Sequence, residues 1–124
     1  MYPRKIFDFD YACHQNAQKP AKRYFDNLPD KVQADIKVLL NKLGDEGELA
    51  DNRFKKLSGF DIWELTETQS NIRMLCFKIG RCFFFTNGFP KTSRETPPRF
   101  INVAERIMRE HIGRMRKVKG RRNV

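Results

Sequence analysis

The feature of this sequence that most constrains its fold is a pair of apolar runs separated by a turn signal. Residues 71–79 are mostly apolar, with Arg73 and Lys78 as charged exceptions, and residues 81–86 include three consecutive phenylalanines. Gly80 stands between the two runs, which is typical of a β-hairpin. Runs that are apolar on both faces indicate strands that are covered on both sides. The chain is therefore expected to build its core around this hairpin.

A further strand is predicted before the hairpin, over residues 60–66. Its alternation places Trp63 and Leu65 on one face and Glu64 on the other. The three strands follow one another through short connections, which favours antiparallel pairing. A loop is predicted after the last strand, over residues 87–95.

Helices are predicted on both sides of the strands along the chain. Pro20 suits the start of the first helix, and the second is predicted to begin at residues 29–30 and to end at Gly44. Thr96 and Pro97 suit the N-cap and first residue of a last helix. Apolar stripes lie at Val32, Ile36, Leu39, Leu40 and Leu43 in the second helix and at Ile101, Ala104, Ile107, Met108 and Ile112 in the last. The sequence therefore predicts an α+β fold in which an N-terminal helical hairpin and a closing C-terminal helix accompany an antiparallel sheet.

The charge of the chain indicates the kind of partner that it binds. Its 124 residues fit one domain and carry a formal net charge of +10. Polyanions suit such a chain, namely nucleic acid, an acidic protein or a membrane surface. We predict a compact domain over residues 1–113 and a basic tail over residues 114–124. The tail is either solvated or a phosphate-binding arm that uses Arg114, Arg116 and Lys117.

The apolar runs are too short to cross a bilayer, and the N-terminus lacks the apolar run of a signal peptide. We therefore expect a cytoplasmic protein without a membrane partner. Three cysteines, Cys13, Cys76 and Cys82, are expected to be free thiols. Metal binding by Asp8 with Asp10 and thiol chemistry at Cys13 are both disfavoured, since neither has a recognisable set of partner residues. No metal or other cofactor is expected.

Positive side chains near the strands are the candidates for chemistry. Arg73 in its apolar strand must either form an ion pair, for which Glu64 on the neighbouring strand is the candidate, or bind phosphate on an open face of the sheet. Lys91 and Arg94 lie in the loop after the last strand, where they either bind phosphate or are simply solvated. Arg53, Lys55 and Lys56 precede the first of the three strands and are candidates for RNA binding.

Residues 54–106 resemble the HigB-like, phage-derived branch of the RelE/ParE toxin superfamily. The matching strings are KLSG at 56–59, WEL at 63–65, IRMLCF at 72–77 and NGFPKTSRETP at 87–97. The resemblance implies helices packed on a curved antiparallel sheet. The sequence departs from the family pattern at Thr66, where the family frequently has arginine, and at Asn87, where the family frequently has histidine.

The resemblance also implies a function, that of the toxin of a type II toxin–antitoxin pair. Relatives of this kind mostly cleave mRNA on the ribosome without a metal, so that mRNA and the ribosome are expected partners. The resemblance gives Arg73, Lys91 and Arg94 the role of catalytic cations. A helix-turn-helix antitoxin is the expected protein partner. Two alternatives stay open: a gyrase inhibitor like some ParE members, and a basic module that binds RNA or protein without catalysis.

Overall fold

A computed structural model describes the backbone of residues 5–122 and the side chains of residues 5–118. Five strands form one sheet in the order β1-β5-β4-β3-β2, antiparallel except for the parallel pair of β1 with β5. The elements are β1 (Asp8–Tyr11), α1 (Pro20–Asp26), α2 (Asp30–Glu46), β2 (Phe54–Lys56), β3 (Trp63–Glu67), β4 (Ile72–Ile79), β5 (Cys82–Pro90) and α3 (Pro98–Arg122). This confirms the predicted α+β class with its closing C-terminal helix.

The predicted hairpin is the centre of the sheet. Gly80 turns the chain with a φ of +61°, a conformation that glycine adopts without strain. The prediction of a loop over residues 87–95 is wrong in its first part, because β5 continues to Pro90. There the ladder pairs Leu75 with Asn87 and Arg73 with Phe89. Cross-strand pairing thus overrides the turn-forming tendency of the Asn-Gly sequence.

The sheet is covered on both faces. One face packs against α1 and α2 through Phe25, Ile36, Leu43, Phe83 and Phe85. The opposite face packs against α3 through Leu75, Phe77, Phe89, Ile101 and Ile107. Two cores therefore share one sheet, and the alternation along each strand decides which core a side chain joins. Both helices before the strands are present, while their packing as a hairpin stays a prediction.

The second helix ends three residues later than predicted. Gly44 is buried inside α2, where its carbonyl accepts hydrogen bonds from the N–H groups of Ile6 and Phe7. A Cβ at this position would lie 3.1 Å from the Phe7 oxygen. Gly44 therefore permits close approach of the N-terminal segment, and Gly47, with a φ of +84°, ends the helix instead.

The last helix begins one residue later than predicted and runs through Arg122. The predicted boundary between domain and tail, at residues 113 and 114, thus falls inside α3, and residues 123–124 of the predicted tail lie outside the described residues. Cys13 and Cys76 are buried free thiols, and Cys82 is partly buried. In the part of the chain that the structure describes, no helix is both long and apolar enough to span a membrane.

Candidate nucleic-acid interface

A buried ion pair lies on the α3 face of the sheet. The exposed fractions of Arg73 and Glu64 are 3% and 2%, and Arg73 Nε lies 3.6 Å from Glu64 Oε1. The two side chains meet because β3 pairs with β4 so that Thr66 stands opposite Arg73, which puts Glu64 two residues away on the same face. Of the two alternatives for Arg73, the ion pair is confirmed. The expectation that Arg73 lies on an open face of the sheet is wrong, because α3 and the loop before it cover that face.

The buried pair fixes the loop between β5 and α3. Arg73 Nη2 donates a hydrogen bond of 2.5 Å to the carbonyl of Arg94, and the Thr96 hydroxyl donates one to Glu64. The N–H of Lys91 donates to the carbonyl of Asn71 at 2.7 Å. The loop is thus tied to Arg73 and Glu64 in the sheet and to Asn71 in the turn before β4, so its basic side chains project from a fixed backbone.

The Arg73 guanidinium is incompletely satisfied. Within the described residues, its Nε and Nη1 atoms are buried and have no hydrogen-bond acceptor. A buried ion pair generally adds little net stability, because desolvation offsets the Coulombic attraction. The pair is therefore better understood as a device that positions the loop than as a source of folding free energy.

Four cations lie on β2, on the loop before α3 and on the first turn of α3. Lys55 on β2 stands opposite Glu64 in the ladder and is exposed. Arg94 is exposed and Lys91 is half-buried in the positioned loop. Arg99, in the first turn of α3, is exposed and places its guanidinium 4.7 Å from the centroid of the Phe100 ring. We call Lys55, Lys91, Arg94 and Arg99 the loop surface. The sequence analysis missed Arg99, since it lies in no strand or family string.

Two predicted RNA-binding residues lie elsewhere. Lys56 points to the opposite face, where its Nζ lies 5.4 Å from the centroid of the Trp63 ring and 3.6 Å from Asp61. Arg53 donates to the carbonyl of Ala50 at 3.0 Å and borders a cleft that it shares with residues of α2. Neither belongs to the loop surface.

The C-terminal cations are also separate from the loop surface. Arg114 lies sixteen residues beyond Pro98 on the same helix, which corresponds to roughly 24 Å along the axis. Its guanidinium donates to the carbonyl of Gln15 at 3.1 Å. Arg116 and Lys117 are exposed in the following turn. The predicted cations of the tail therefore lie toward the opposite end of α3 from Arg99 and the loop surface.

A second ionic pair lies near the middle of α3. His14 Nδ1 is 2.6 Å from Glu110 Oε2, and both side chains remain about one quarter exposed. The hydrogen bond from His14 holds the pKa of the Glu110 carboxyl below its usual range. His14 also lines an open cleft of about 590 Å³ between α1 and the edge of β5. We call this the edge cleft; its walls are His14, Gln18, Lys19, Pro20, Arg23, Tyr24, Asn27, Leu28, Asn87 and Gly88.

The cysteine and acidic candidates form no separate site. The N–H of Cys13 donates to His111 Nδ1 at 3.0 Å, so that this nitrogen is occupied as an acceptor. Burial holds the pKa of His111 below its ordinary value. Asp8 accepts a hydrogen bond of 2.8 Å from Arg81. Among the described residues, no three His, Cys, Asp or Glu side chains are grouped as metal ligands would be.

The two departures from the family strings are structural positions. Thr66 is buried opposite Arg73. Asn87 is buried, and its amide donates to the carbonyl of Phe100 at 3.2 Å, which ties β5 to α3. Neither side chain is placed to transfer a proton to a ligand on the loop surface. The four side chains of the loop surface themselves offer positive charge and hydrogen-bond donors, and none of them is a ready base near neutral pH.

Comparison with solved structures defines the class of fold. A chain of the intact Escherichia coli RelBE toxin–antitoxin complex matches with a TM-score of 0.50 at 19% identity, covering 73% of this chain and 99% of that one. A mutant of the E. coli toxin RelE in the free state matches with a TM-score of 0.51 at 17% identity, covering 90% of this chain and 98% of that one. The chain thus has the fold of the RelE toxins.

Comparison with known protein families shows the family to which this chain belongs. Residues 23–109, more than half of the chain, match the family described as phage derived protein Gp49-like (DUF891), and the chain belongs to this family. No curated protein matches the sequence significantly. The family match confirms the phage-derived, RelE-like resemblance that the sequence strings indicated.

Proposed function

We propose that this protein is the toxin of a type II toxin–antitoxin pair and inhibits translation by cleaving mRNA at the ribosome. The observation that carries the proposal is the loop surface, in which the buried Arg73–Glu64 pair holds the backbone of the loop that carries Lys91 and Arg94. Lys55 on β2 and Arg99 on α3 add two exposed cations. Such a surface suits the ribose-phosphate chain of single-stranded RNA, whose charge dominates its affinity for proteins. Family membership and the likeness to RelE agree with this proposal.

In the proposed cleavage the RNA's own 2′-oxygen attacks the adjacent phosphorus and forms a 2′,3′-cyclic phosphate. The bond from phosphorus to the 5′-oxygen of the next nucleotide breaks, and that oxygen leaves as a hydroxyl, so that no metal is required. Lys91 and Arg94 would contact phosphate oxygens and stabilise the charge that develops on them. Arg73, which is buried, would act as a positioning residue by holding the Arg94 carbonyl. Lys and Arg are poor bases near neutral pH, so the proton transfers would rely on groups of the ribosome or of another part of the chain.

An antitoxin is the proposed protein partner. One matched chain comes from a complex of a toxin with its antitoxin, and the net charge of +10 suits an acidic partner. A small helix-turn-helix protein is the form that we expect. Co-expression with the product of an adjacent gene of this kind should relieve growth inhibition, and the two proteins should co-purify.

The test of the proposal is induced expression of the protein followed by mapping of mRNA 5′ ends. We expect translation to stop and new ends to appear within codons. Arg94→Gln combined with Lys91→Gln should abolish both effects, whereas Lys42→Gln, which removes a charge from exposed α2 surface, should leave them unchanged.

The other outcomes separate the alternative functions. Intact transcripts under arrested translation would contradict the nuclease and favour a binding module. Intact transcripts together with cleaved DNA complexes would favour a gyrase inhibitor.

A further inference from the structure

The edge cleft has the composition of a nucleotide site, although no sequence string pointed to it. Its three ionisable nitrogen-bearing side chains are His14, Lys19 and Arg23, and none of the described residues that line it is acidic. Its volume of about 590 Å³ lies within the range of small-ligand sites. The cleft therefore combines an anion-binding wall with enough room for one nucleotide.

Of the three basic side chains of the cleft, His14 is paired with Glu110, whereas Lys19 and Arg23 have no internal ion pair among the described residues. Lys19 and Arg23 are also exposed. Lys22, one residue before Arg23, is instead paired with Asp26 at 2.6 Å and does not line the cleft. Helix α1 thus places the ion-paired Lys22 outside the cleft and the unpaired Arg23 on its wall.

The cleft also has a fixed aromatic wall. The Tyr24 ring lies so close to Gly88 that a Cβ there would be 2.4 Å from its Cδ1 atom. The residue at this point of β5 must therefore be glycine if the ring is to lie against the strand. An aromatic ring of this kind offers a surface on which a base of any identity can stack.

The imidazole on the opposite wall is held in one orientation. His14 Nδ1 faces Glu110 at 2.6 Å, which leaves Nε2 as the ring nitrogen free of that contact. Glu110 is itself within 3.8 Å of Arg106 Nε, so the carboxylate is fixed from two sides. The contact with Glu110 thus restrains the His14 ring, which is one of the polar side chains that line the cleft.

We propose that the edge cleft binds one nucleotide of single-stranded RNA, with its phosphate between Lys19 and Arg23 and its base against Tyr24. The cleft meets β5 at Gly88, three residues before Lys91 of the loop surface. At the rise of a strand this is about 10 Å along the chain. Gly88 faces α1 whereas the loop surface lies on the α3 face, so an RNA strand that occupies both sites must pass around the end of β5. The inference rests on the proposed function for the identity of the polymer as RNA.

The test is the affinity of a short fluorescent oligouridylate for the full chain. Arg23→Gln should weaken binding about tenfold, as expected for one lost charge-assisted contact. It should also lower the slope of log affinity against log salt by about 0.7. Lys22→Gln removes the same charge from the neighbouring position and should change the affinity by roughly twofold at most. Chemical shifts of the His14 and Tyr24 rings should move during titration of the wild type.

Three outcomes would overturn the inference. The first is an equal loss of affinity in the Arg23 and Lys22 variants, which would mean diffuse charge attraction. The second is a titration that leaves both rings unmoved. The third is a polyglutamate peptide that binds as tightly as the RNA and loses as much affinity in Arg23→Gln, which would assign the cleft to an acidic protein.

The same measurements keep this inference separate from the proposed function. mRNA cleavage that persists alongside unchanged RNA affinity in Arg23→Gln would remove the edge cleft and leave the nuclease. RNA bound in the cleft by a protein that cleaves no mRNA would remove the nuclease and leave the cleft as part of a binding module.

Discussion

Two acid–base pairs in this protein have similar chemistry and opposite surroundings. Glu64 with Arg73 is almost completely buried between the sheet and the loop before α3, while His14 with Glu110 remains about one quarter exposed at the sheet edge. The buried arginine is committed to protein atoms, because its guanidinium faces a carboxylate and a backbone carbonyl. The exposed imidazole keeps a free nitrogen beside an open cleft. Burial therefore turns a potential ligand-binding cation into a positioning residue, and partial exposure preserves the capacity to bind.

The largest expected effect comes from breaking the buried pair. Arg73→Met leaves the Glu64 carboxylate buried without its cation and should lower the free energy of unfolding by about 3–5 kcal/mol. The double variant Arg73→Met with Glu64→Leu removes both charges and should be more stable than Arg73→Met alone. Urea denaturation of the single and double variants measures both effects. A single variant that loses less than about 1 kcal/mol would show that the pair is solvated.

A smaller effect is expected from the strand wall of the edge cleft. Gly88→Ala forces the Tyr24 ring away from β5 and should cost about 1–3 kcal/mol of unfolding free energy, as overpacking does. Gly113→Ala is the matched control, because no atom lies within 4 Å of a Cβ there. In that helix the substitution should stabilise by about 0.5–1 kcal/mol. Equal effects of the two substitutions in thermal unfolding would contradict the packing of Tyr24 on Gly88.

The sequence predicts features that depend on local patterns, but not features that depend on the packing of distant segments. The hairpin around Gly80 and the apolar face of the last helix are local patterns, and both were predicted correctly. The partner of Arg73 depends on strand register and on the loop at Arg94, so the pattern left two alternatives. The distance between the C-terminal cations and the loop surface depends on the direction of a helix of 25 residues, which no local pattern encodes.

The edge cleft was missed for the same physical reason. Lys19, Arg23 and Tyr24 read locally as the ordinary surface and core positions of a short helix. Their meeting with Gly88 joins segments more than sixty residues apart, and His14 meets Glu110 across 96 residues. Pairings over such separations are set by the packing of whole elements on the sheet. The local pattern around Gly88 predicted a loop over residues 87–95 and gave no sign that an aromatic ring lies against this glycine.

The neighbouring residues Glu110 and His111 of α3 should affect stability over different ranges of pH. Burial depresses the pKa of His111 below its ordinary value of 6.5, so the unfolded chain binds a proton that the folded chain resists. Stability should therefore fall as the pH drops below about 6.5. The stabilisation from Glu110, whose pKa is lowered from 4.5, is present above that value and is lost further down.

The measurement that checks this order is urea unfolding as a function of pH. His111→Phe should remove the decrease in the free energy of unfolding between about pH 7 and about pH 5. It should leave unchanged the further decrease at lower pH that comes from Glu110. A wild type whose stability is constant over that interval would contradict the burial of His111 against Phe77 and Phe84.

The smallest effect is expected from the exposed pair. Glu110→Gln leaves His14 with a neutral hydrogen-bond partner in contact with solvent. It should lower the free energy of unfolding by about 0.5–1 kcal/mol, which is less than the loss expected for the buried pair. If the edge cleft binds RNA, the same substitution should still weaken binding by releasing the His14 ring from its fixed orientation. Raised salt should shrink the stability difference between Glu110→Gln and the wild type, because solvent ions screen the exposed pair. It should leave the cost of Arg73→Met nearly unchanged, and a buried pair that responds to salt like the exposed one would abolish the distinction between the two regions.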